Sequence, residues 1–161
     1  MGEMSINPAI ETTMRSAGAD RRAPASPQLS LVVPTYNEAE NLPILLTQLA
    51  EVLSEVDYEI IVVDDDSPDG TWRVAEELAE HSHRIRTIRR IGERGLSSAV
   101  MTGMSMAKGD AIAVMDADLQ HDASALPLML AQVAEAGVDV VVASREVEGG
   151  SYGSFAPSRR R

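Results

Sequence analysis

Two aspartates and a glutamine directly follow an apolar run in the second half of the chain. Asp116, Asp118 and Gln120 come after the segment Ile112-Ala113-Val114-Met115. An apolar run of this length, bounded by polar residues, is typical of a buried strand, and alternate residues of an extended chain share a face. The three side chains can therefore point to one place, where they offer only oxygen ligands. Such a set suits Mg²⁺ or Mn²⁺ bridging to a phosphate, rather than zinc or copper.

A purely structural role for these residues is the alternative. Carboxylates often end strands, and Asp116 or Asp118 could cap the helix that follows. Two carboxylates held close together repel each other unless a cation or a proton intervenes, which favours the metal site. The neighbouring His121 fits a partly exposed polar residue better than a metal ligand.

A second acidic cluster, Asp64-Asp65-Asp66, follows another apolar run and precedes the turn Ser67-Pro68-Asp69-Gly70. Asp at such a place routinely forms turns and helix caps. A carboxylate at a strand end can also accept hydrogen bonds from the N–H groups of a nucleobase. The residues by themselves leave both roles open for this cluster.

Three further side chains come next to predicted strand ends. Tyr36 and Glu38 follow the first strand, where Tyr36 could stack on a base or pack its own loop. Arg145 follows the last strand, where its guanidinium could bind a phosphate in a bidentate manner or form an ordinary salt bridge to an aspartate.

Strands and helices are predicted to alternate along the chain. Apolar periodicity and turn residues predict strands over 29–34, 58–63, 85–88, 112–115 and 138–143, and helices over 37–55, 71–80, 96–107 and 123–135. Asn37 with Glu40 forms a capping-box pattern, and Gly109 stands where a left-handed C-cap is expected. The alternation predicts an α/β fold with a mostly parallel sheet covered by helices on both faces. Ligands of such sheets bind beyond the carboxyl ends of the strands.

Composition narrows the possible functions. The 161 residues are 44% apolar, which predicts one globular domain, and the absence of cysteine excludes disulfides and thiolate metal sites. A net charge of −11 argues against nucleic acid as a partner. The lack of cysteine fits a reducing compartment, so the cytoplasm is the expected location. Apolar stretches are too short to span a bilayer. We expect a disordered leader over 1–27, a folded domain over 28–145, and a mobile, glycine-rich and basic tail over 146–161.

Four segments in order resemble the successive motifs of family 2 glycosyltransferases, most closely those of the dolichol-phosphate and polyprenol-phosphate mannosyltransferases. They are Pro34-Thr35-Tyr36-Asn37-Glu38, the run from Val62 to Thr71, the run from Met115 to His121, and Ser144-Arg145. The resemblance extends from Leu29 to the C-terminus. It implies a GT-A fold, which is Rossmann-like, and a nucleotide-diphosphate-sugar donor.

The resemblance also implies roles for single residues. The nucleoside pocket would be lined by Pro34, Tyr36, Glu38, Val63 and Asp65, with Asp65 reading the base. The metal, Mg²⁺ or Mn²⁺, and the sugar diphosphate would be held by Asp116, Ala117, Asp118 and Gln120. Arg145 would face the phosphates or the acceptor, and Asp118 and Arg145 would be catalytic.

The implied reaction is transfer of a sugar, with mannose from GDP-mannose as the best candidate, to a polyprenyl or dolichyl phosphate with inversion. It implies a peripheral place at the cytoplasmic face of a membrane. Members of the family are longer, so the C-terminal part of the family fold is expected to be missing and the exposed sheet to favour self-association. There are two alternatives. One is a nucleotide-sugar-binding module with weak or no activity, and the other is a transferase that uses another donor such as UDP-glucose. A phospho-receiver domain also has acidic residues at strand ends, but it needs a lysine near its site. It is disfavoured because the only lysine, Lys108, comes at the wrong end of a helix.

Overall fold

The structure, a computed structural model, describes residues 26–134 and 138–144. Four strands form one parallel sheet in the order β3-β2-β1-β4. The strands are β1 (Leu29–Thr35), β2 (Tyr58–Asp64), β3 (Ile85–Arg89) and β4 (Ala111–Val114), and the helices are α1 (Asn41–Val52), α2 (Thr71–His81), α3 (Leu96–Met106) and α4 (Leu126–Ala134). The predicted α/β alternation is confirmed for these elements.

Helices cover the two faces of the sheet unequally. The larger apolar cluster joins alternate residues of β1 and β2, such as Leu31 and Ile60, to α1, α2 and the start of α4. The other residues of the same strands, such as Val32 and Val63, pack with Ala99 of α3. Because both faces of β1 and β2 are covered, every residue of these strands is buried, as the continuous apolar runs predicted.

Strand β4 differs from the buried strand that the sequence predicted. Ala111 and Ala113 pack against the larger cluster, but Ile112 and Val114 on the opposite face are 42% and 47% exposed. Within the described ranges no strand pairs with the outer side of β4, which is therefore an edge. The predicted strand over 138–143 is wrong, since residues 138–144 form no strand. A valine-rich run does not form a strand unless a neighbouring strand pairs with it, and none of the described strands does so here.

Helix α1 begins later than the capping-box pattern predicted. Asn37 has a φ of 60°, and Glu40 occupies the N-cap position without a side-chain cap. Tertiary hydrogen bonds explain the difference, because the backbone N–H groups of residues 37–39 donate to side chains of residues 67–71, in the turn before α2 and at its first residue. The helix also ends at Val52 rather than near residue 55.

Gly109 is not the predicted left-handed C-cap. Helix α3 ends at Met106, and the next residue, Ala107, is extended. A Cβ on Gly109 would lie 2.5 Å from the backbone nitrogen of Ser30, so the glycine permits close approach of this segment to β1. The final predicted helix is divided into a 3-10 turn (Ala123–Ala125) and α4.

The predicted leader over 1–27 and tail over 146–161 lie almost entirely outside the described residues. Within the part of the chain that the structure describes, no helix is both long and apolar enough to cross a bilayer.

Candidate nucleotide-sugar site

The carboxyl ends of the parallel strands bring the predicted site residues to one edge of the sheet. Asp65 follows β2, Tyr36 follows β1, and Asp116 comes two residues after the end of β4. Strand β1 lies between β2 and β4, with Thr35 level with Asp64 and Val32 level with Val114. The acidic clusters of two separate motifs therefore flank the end of the central strand.

A cleft of about 290 Å³ opens at this edge between the end of β1 and the start of α3. Its walls contain three predicted nucleoside-pocket residues, Pro34, Tyr36 and Asp65. The opposite wall is formed by residues that the sequence reasoning did not single out, namely Arg94, Gly95, Leu96 and Ala99. A largely apolar cleft with one aromatic ring and one carboxylate has the properties of a pocket for a nucleobase.

Tyr36 is the aromatic residue of this cleft. Its side chain is exposed, and the guanidinium of Arg94 lies 4.6 Å from the centre of its ring. This cation–π contact joins the loop after β1 to the segment before α3. The two walls of the cleft are thus in contact with each other.

The other two predicted nucleoside residues are not among the cleft walls. Val63 is fully buried and packs with Ala99, so its side chain lies beneath the cleft. Glu38 is half-buried and accepts a hydrogen bond of 2.7 Å from the side chain of Asn41 at the start of α1.

The three consecutive aspartates have three different environments. Asp64 is fully buried and accepts hydrogen bonds from Thr35 Oγ1 and from both the backbone and the hydroxyl of Ser67. Asp66, with a φ of 55°, binds Arg89 at the surface. Asp64 therefore has the turn-forming role that was left open, whereas Asp65, between them, is the one that lines the cleft.

Asp65 is buried and ion-paired. Its Oδ1 accepts a hydrogen bond of 2.7 Å from Nε of Arg90, and its Oδ2 accepts one of 2.8 Å from the backbone N–H of Gly95. Arg90 is only 5% exposed. The sequence reasoning missed Arg90, although a charged residue directly after a strand, at the ligand-binding edge of the sheet, was a signal that could have found it.

Side chains of the turn before α2 hold the loop after β1. Ser67 Oγ, Thr71 Oγ1 and Asp69 Oδ2 accept hydrogen bonds of 2.9 to 3.1 Å from the successive backbone N–H groups of residues 37–39. Burial by itself would raise the pKa of Asp69, but hydrogen bonds from the side chain and backbone of Thr71, and from the backbone of Ala39, outweigh it and lower this pKa. The second motif thereby fixes the shape of the first.

The predicted metal site follows β4. Met115 and Ala117 are buried, while Asp116 and Asp118 are half-buried, so the residues alternate as predicted. The strand itself ends at Val114, and Leu119 has a φ of 59°, so the alternation does not extend to Gln120 as predicted. Ala117 packs into the larger apolar cluster.

Asp118 accepts a hydrogen bond of 3.0 Å from the backbone N–H of Gln120, and Nδ1 of His121 lies 3.9 Å from the same oxygen. The helix-capping role falls to Asp122, which accepts from the backbone and hydroxyl of Ser124. These hydrogen bonds lower the pKa of Asp122. Capping therefore does not account for Asp116 and Asp118.

The donor types of Asp116, Asp118 and Gln120, which are carboxylate and amide oxygens, suit Mg²⁺ or Mn²⁺. Within the ranges that the structure describes, no three His, Asp or Glu side chains form a group that could hold a metal ion. Asp116, Asp118 and the Gln120 amide would leave coordination positions for water and phosphate oxygens, which is how Mg²⁺ is usually bound. Arg145, the other predicted catalytic residue, lies outside the described residues.

Comparison with known proteins identifies the class. The chain belongs to glycosyl transferase family 2, whose model matches residues 30–161. The parallel sheet and its flanking helices are those of the GT-A fold, as predicted.

Two curated relatives are named dolichol-phosphate mannosyltransferase. The chain is 46% identical to that of Pyrococcus furiosus over 123 residues, which are 76% of this chain and 34% of the relative. It is 39% identical to that of Mycosarcoma maydis over 112 residues, which are 66% of this chain and 38% of the relative. A third relative, the polyprenol monophosphomannose synthase of Mycolicibacterium smegmatis, is 38% identical over 151 residues, 91% of this chain and 56% of the relative. The chain thus spans between a third and somewhat more than half of these proteins.

Two solved structures are similar to this one. The mannosyltransferase PcManGT of Pyrobaculum calidifontis, in complex with GDP-Man and Mn²⁺, is 29% identical, with a TM-score of 0.55, over 70% of this chain and 34% of that one. The mannosyl-3-phosphoglycerate synthase of Rubrobacter xylanophilus is 24% identical, with a TM-score of 0.57, over 69% of this chain and 38% of that one. The second likeness supports the fold alone.

Proposed function

We propose that this chain forms the donor-binding part of a mannosyltransferase that transfers mannose from GDP-mannose to a polyprenyl phosphate with inversion. The observation that carries the proposal is the cleft lined by Tyr36 and Asp65 at the same end of the sheet as the Asp116 and Asp118 carboxylates, in a member of glycosyl transferase family 2. The names of the relatives support mannose, and the GDP-Man and Mn²⁺ complex of PcManGT supports both the donor and a divalent metal.

In this proposal the guanine base enters the cleft, with its edge towards Asp65 and its face against Tyr36. A carboxylate accepts hydrogen bonds from N–H groups, and guanine offers two neighbouring donors. Pro34 and Ala99 supply apolar contact surface. We assign supporting roles to Val63, which packs with Ala99, and to Glu38, which accepts a hydrogen bond from the side chain of Asn41.

Asp116, Asp118 and Gln120 would hold Mg²⁺ or Mn²⁺ together with the sugar diphosphate. A divalent cation bound there neutralises the negative charge of the departing nucleoside diphosphate. The attacking group of the acceptor is a phosphate monoester with a second pKa of about 6, which is largely dianionic at pH 7. No protein side chain is needed as a general base. Arg145 is proposed to bind the phosphates or the acceptor.

A polyprenyl phosphate acceptor would require the enzyme to work at a membrane surface, and we propose a peripheral place on its cytoplasmic face. The exposed edge and face of β4 are proposed to favour self-association of this chain, because unpaired edges and apolar patches bind one another.

Two measurements test the proposed function together. Isothermal titration calorimetry with GDP-mannose, with and without Mn²⁺, is compared with UDP-glucose, and transfer of radiolabelled mannose to a polyprenyl phosphate is measured in parallel. We expect metal-dependent binding of GDP-mannose and weak or no transfer by this chain alone. Tighter binding of UDP-glucose would refute the donor assignment, and robust transfer by this chain would refute its restriction to donor binding.

A further inference from the structure

We infer that Arg90 is a positioning residue for the base-binding end of the cleft. It joins Asp65 to the segment of residues 91–95, and thereby sets the orientation of the carboxylate that a nucleotide base would meet. This inference rests on the proposed function, which assigns no role to Arg90.

Arg90 is buried, which is unusual for a charged side chain. It directly follows β3, and its backbone N–H donates to the carbonyl of Asp64 at 2.8 Å. Its side chain is 4% exposed, although guanidinium groups are rarely buried without full pairing. The strand end therefore delivers one charged group into the interior, directly behind the cleft.

The guanidinium uses its three nitrogens to reach four different residues. Nε donates to Asp65 Oδ1 at 2.7 Å, and Nη2 donates to the carbonyl of Gly95 at 3.1 Å. Nη1 donates to Glu93 Oε2 at 3.2 Å and to Ser98 Oγ at 3.0 Å. A planar group with five N–H donors can satisfy such a set, whereas the compact ammonium of lysine cannot.

Asp65 and Gly95 complete a closed set of hydrogen bonds with Arg90. The N–H of Gly95 donates to Asp65 Oδ2 at 2.8 Å, while its carbonyl accepts from Arg90. Both Asp65 and Gly95 line the cleft, together with Leu96, which follows at the start of α3. Any movement of the guanidinium therefore moves a carboxylate on one wall and backbone on the other.

Stability alone is a weak reason for a buried ion pair at this place. Apolar residues of similar volume often stabilise a protein as well as a buried ion pair does. What an apolar pair cannot supply is a fixed carboxylate that accepts hydrogen bonds. Such a carboxylate prefers guanine, which presents an N–H and an amino group side by side, over adenine, which presents an acceptor nitrogen beside its amino group.

The test compares Arg90→Lys and Arg90→Gln with matched changes at Arg86. Arg86 is a good control because it also pairs with a buried carboxylate, Glu59. This pair lies at the amino ends of the strands, whereas Arg90 follows the carboxyl end of β3. Calorimetry gives the dissociation constants of GDP and ADP for each variant. A structural defect weakens both nucleotides alike, so the ratio of the two constants is the quantity that distinguishes positioning from folding.

We expect Arg90→Gln to weaken GDP binding by about tenfold or more, because it leaves the Asp65 carboxylate without its cation. The preference for GDP over ADP should fall towards one, with Arg90→Lys between the wild type and Arg90→Gln. Arg86→Lys and Arg86→Gln should leave the preference unchanged. Equal weakening of GDP and ADP by both Arg90 variants, or an equal loss of preference in the Arg86 variants, would overturn the inference.

Amide hydrogen exchange at Gly95 separates this inference from the proposed function. Exchange at this N–H should become faster in both Arg90 variants and stay unchanged in both Arg86 variants, since it reports local opening of the hydrogen bond to Asp65. If the wild type has no preference for GDP, the proposed donor is wrong, and the exchange rates alone decide whether Arg90 fixes Asp65 and Gly95. Unchanged exchange in the Arg90 variants would overturn the inference. If Arg90→Gln does not unfold cooperatively in urea, Arg90→Lys carries the test.

Discussion

Glu59 lies at the amino end of the sheet, opposite the cleft. Its replacement by glutamine tests how much the hydrogen bonds of its carboxylate stabilise the fold. The amino-end cluster consists of Ser30, Glu59 and Arg86 with the backbone N–H of Lys108. Oε1 of Glu59 accepts from Ser30 Oγ and Lys108 N–H, both at 2.7 Å, and Oε2 accepts from Arg86 Nη1 at 2.8 Å. These bonds fix the segment after α3 to the start of the sheet.

The glutamine oxygen can keep the bonds from Ser30 and Lys108, but its amide nitrogen would then face the Arg86 guanidinium, donor against donor. A hydrogen bond between charged groups contributes about 1.5–3 kcal/mol. Because the Arg86 side chain is 26% exposed, the low end of this range applies. We therefore expect Glu59→Gln to lower the free energy of unfolding by about 1.5 kcal/mol at pH 7.

The loss should depend on pH. Burial raises the pKa of Glu59, but the hydrogen bonds from Ser30, Arg86 and Lys108 outweigh it and hold this pKa below its ordinary value of 4.5. The stabilisation is therefore complete above the unfolded-state pKa and disappears as the pH falls through the lower folded-state value. Wild type and variant should become similar in stability at the acid end of this range.

Urea denaturation followed by circular dichroism, from pH 7 down to the acid range, measures both effects. Glu76→Gln, on the exposed side of α2, is the matched control and should change stability by less than about 0.5 kcal/mol. A loss for Glu59→Gln that is below this value, or that is equally large at pH 7 and in acid, would refute the reasoning about the amino-end cluster.

Three other substitutions test the packing, the metal site and the exposed edge. Gly103→Ala should destabilise the chain by about 1–3 kcal/mol in urea denaturation, because its Cβ would overlap Cγ1 of Val32. Asp118→Ala should abolish the Mn²⁺-dependent part of GDP-mannose binding in calorimetry without unfolding the chain, since its side chain is 37% exposed. Ile112→Lys should reduce self-association in sedimentation velocity, because it places a charge on the exposed face of β4.

Each of these expectations has a control or a contradicting result. Ser97→Ala, on an exposed position of α3, should leave stability almost unchanged. Asp110→Ala, an exposed aspartate just before β4, should keep the metal dependence. Metal-dependent binding that survives Asp118→Ala would contradict the metal site, and a wild type that sediments as a monomer at all concentrations would contradict self-association.

The carboxyl-end position of the site could be predicted from the chain because parallel strands end at one edge whatever the details of packing. The acidic residues at 64–66 and 116–118 immediately follow apolar runs, so locating the strands also located them. The different roles of the three aspartates at 64–66 could not be predicted. It depends on which partners approach from distant segments, such as Arg90, 25 residues further on.

Local patterns failed where tertiary contacts competed with them. The capping-box pattern at Asn37 indicated a helix start. The backbone N–H groups of residues 37–39 instead donate to the side chains of Ser67, Thr71 and Asp69. The valine-rich run at 138–143 indicated a strand, but no partner strand lies beside it among the described residues. A cap or a strand requires both a donor and an acceptor, and a short stretch of sequence shows only one of the two.

By itself, the sequence determined the alternation of elements, the apolar faces of β1 and β2, and the chemical character of the groups at their ends. These follow from periodicity and composition, which act over a few neighbouring residues. Only the tertiary structure decided that Asp65 is paired with Arg90 and Gly95, that Val63 lies beneath the cleft, and that one face of β4 is exposed. Such features arise from contacts between segments far apart in the chain, and the free energy of these contacts depends on distances that no local pattern specifies.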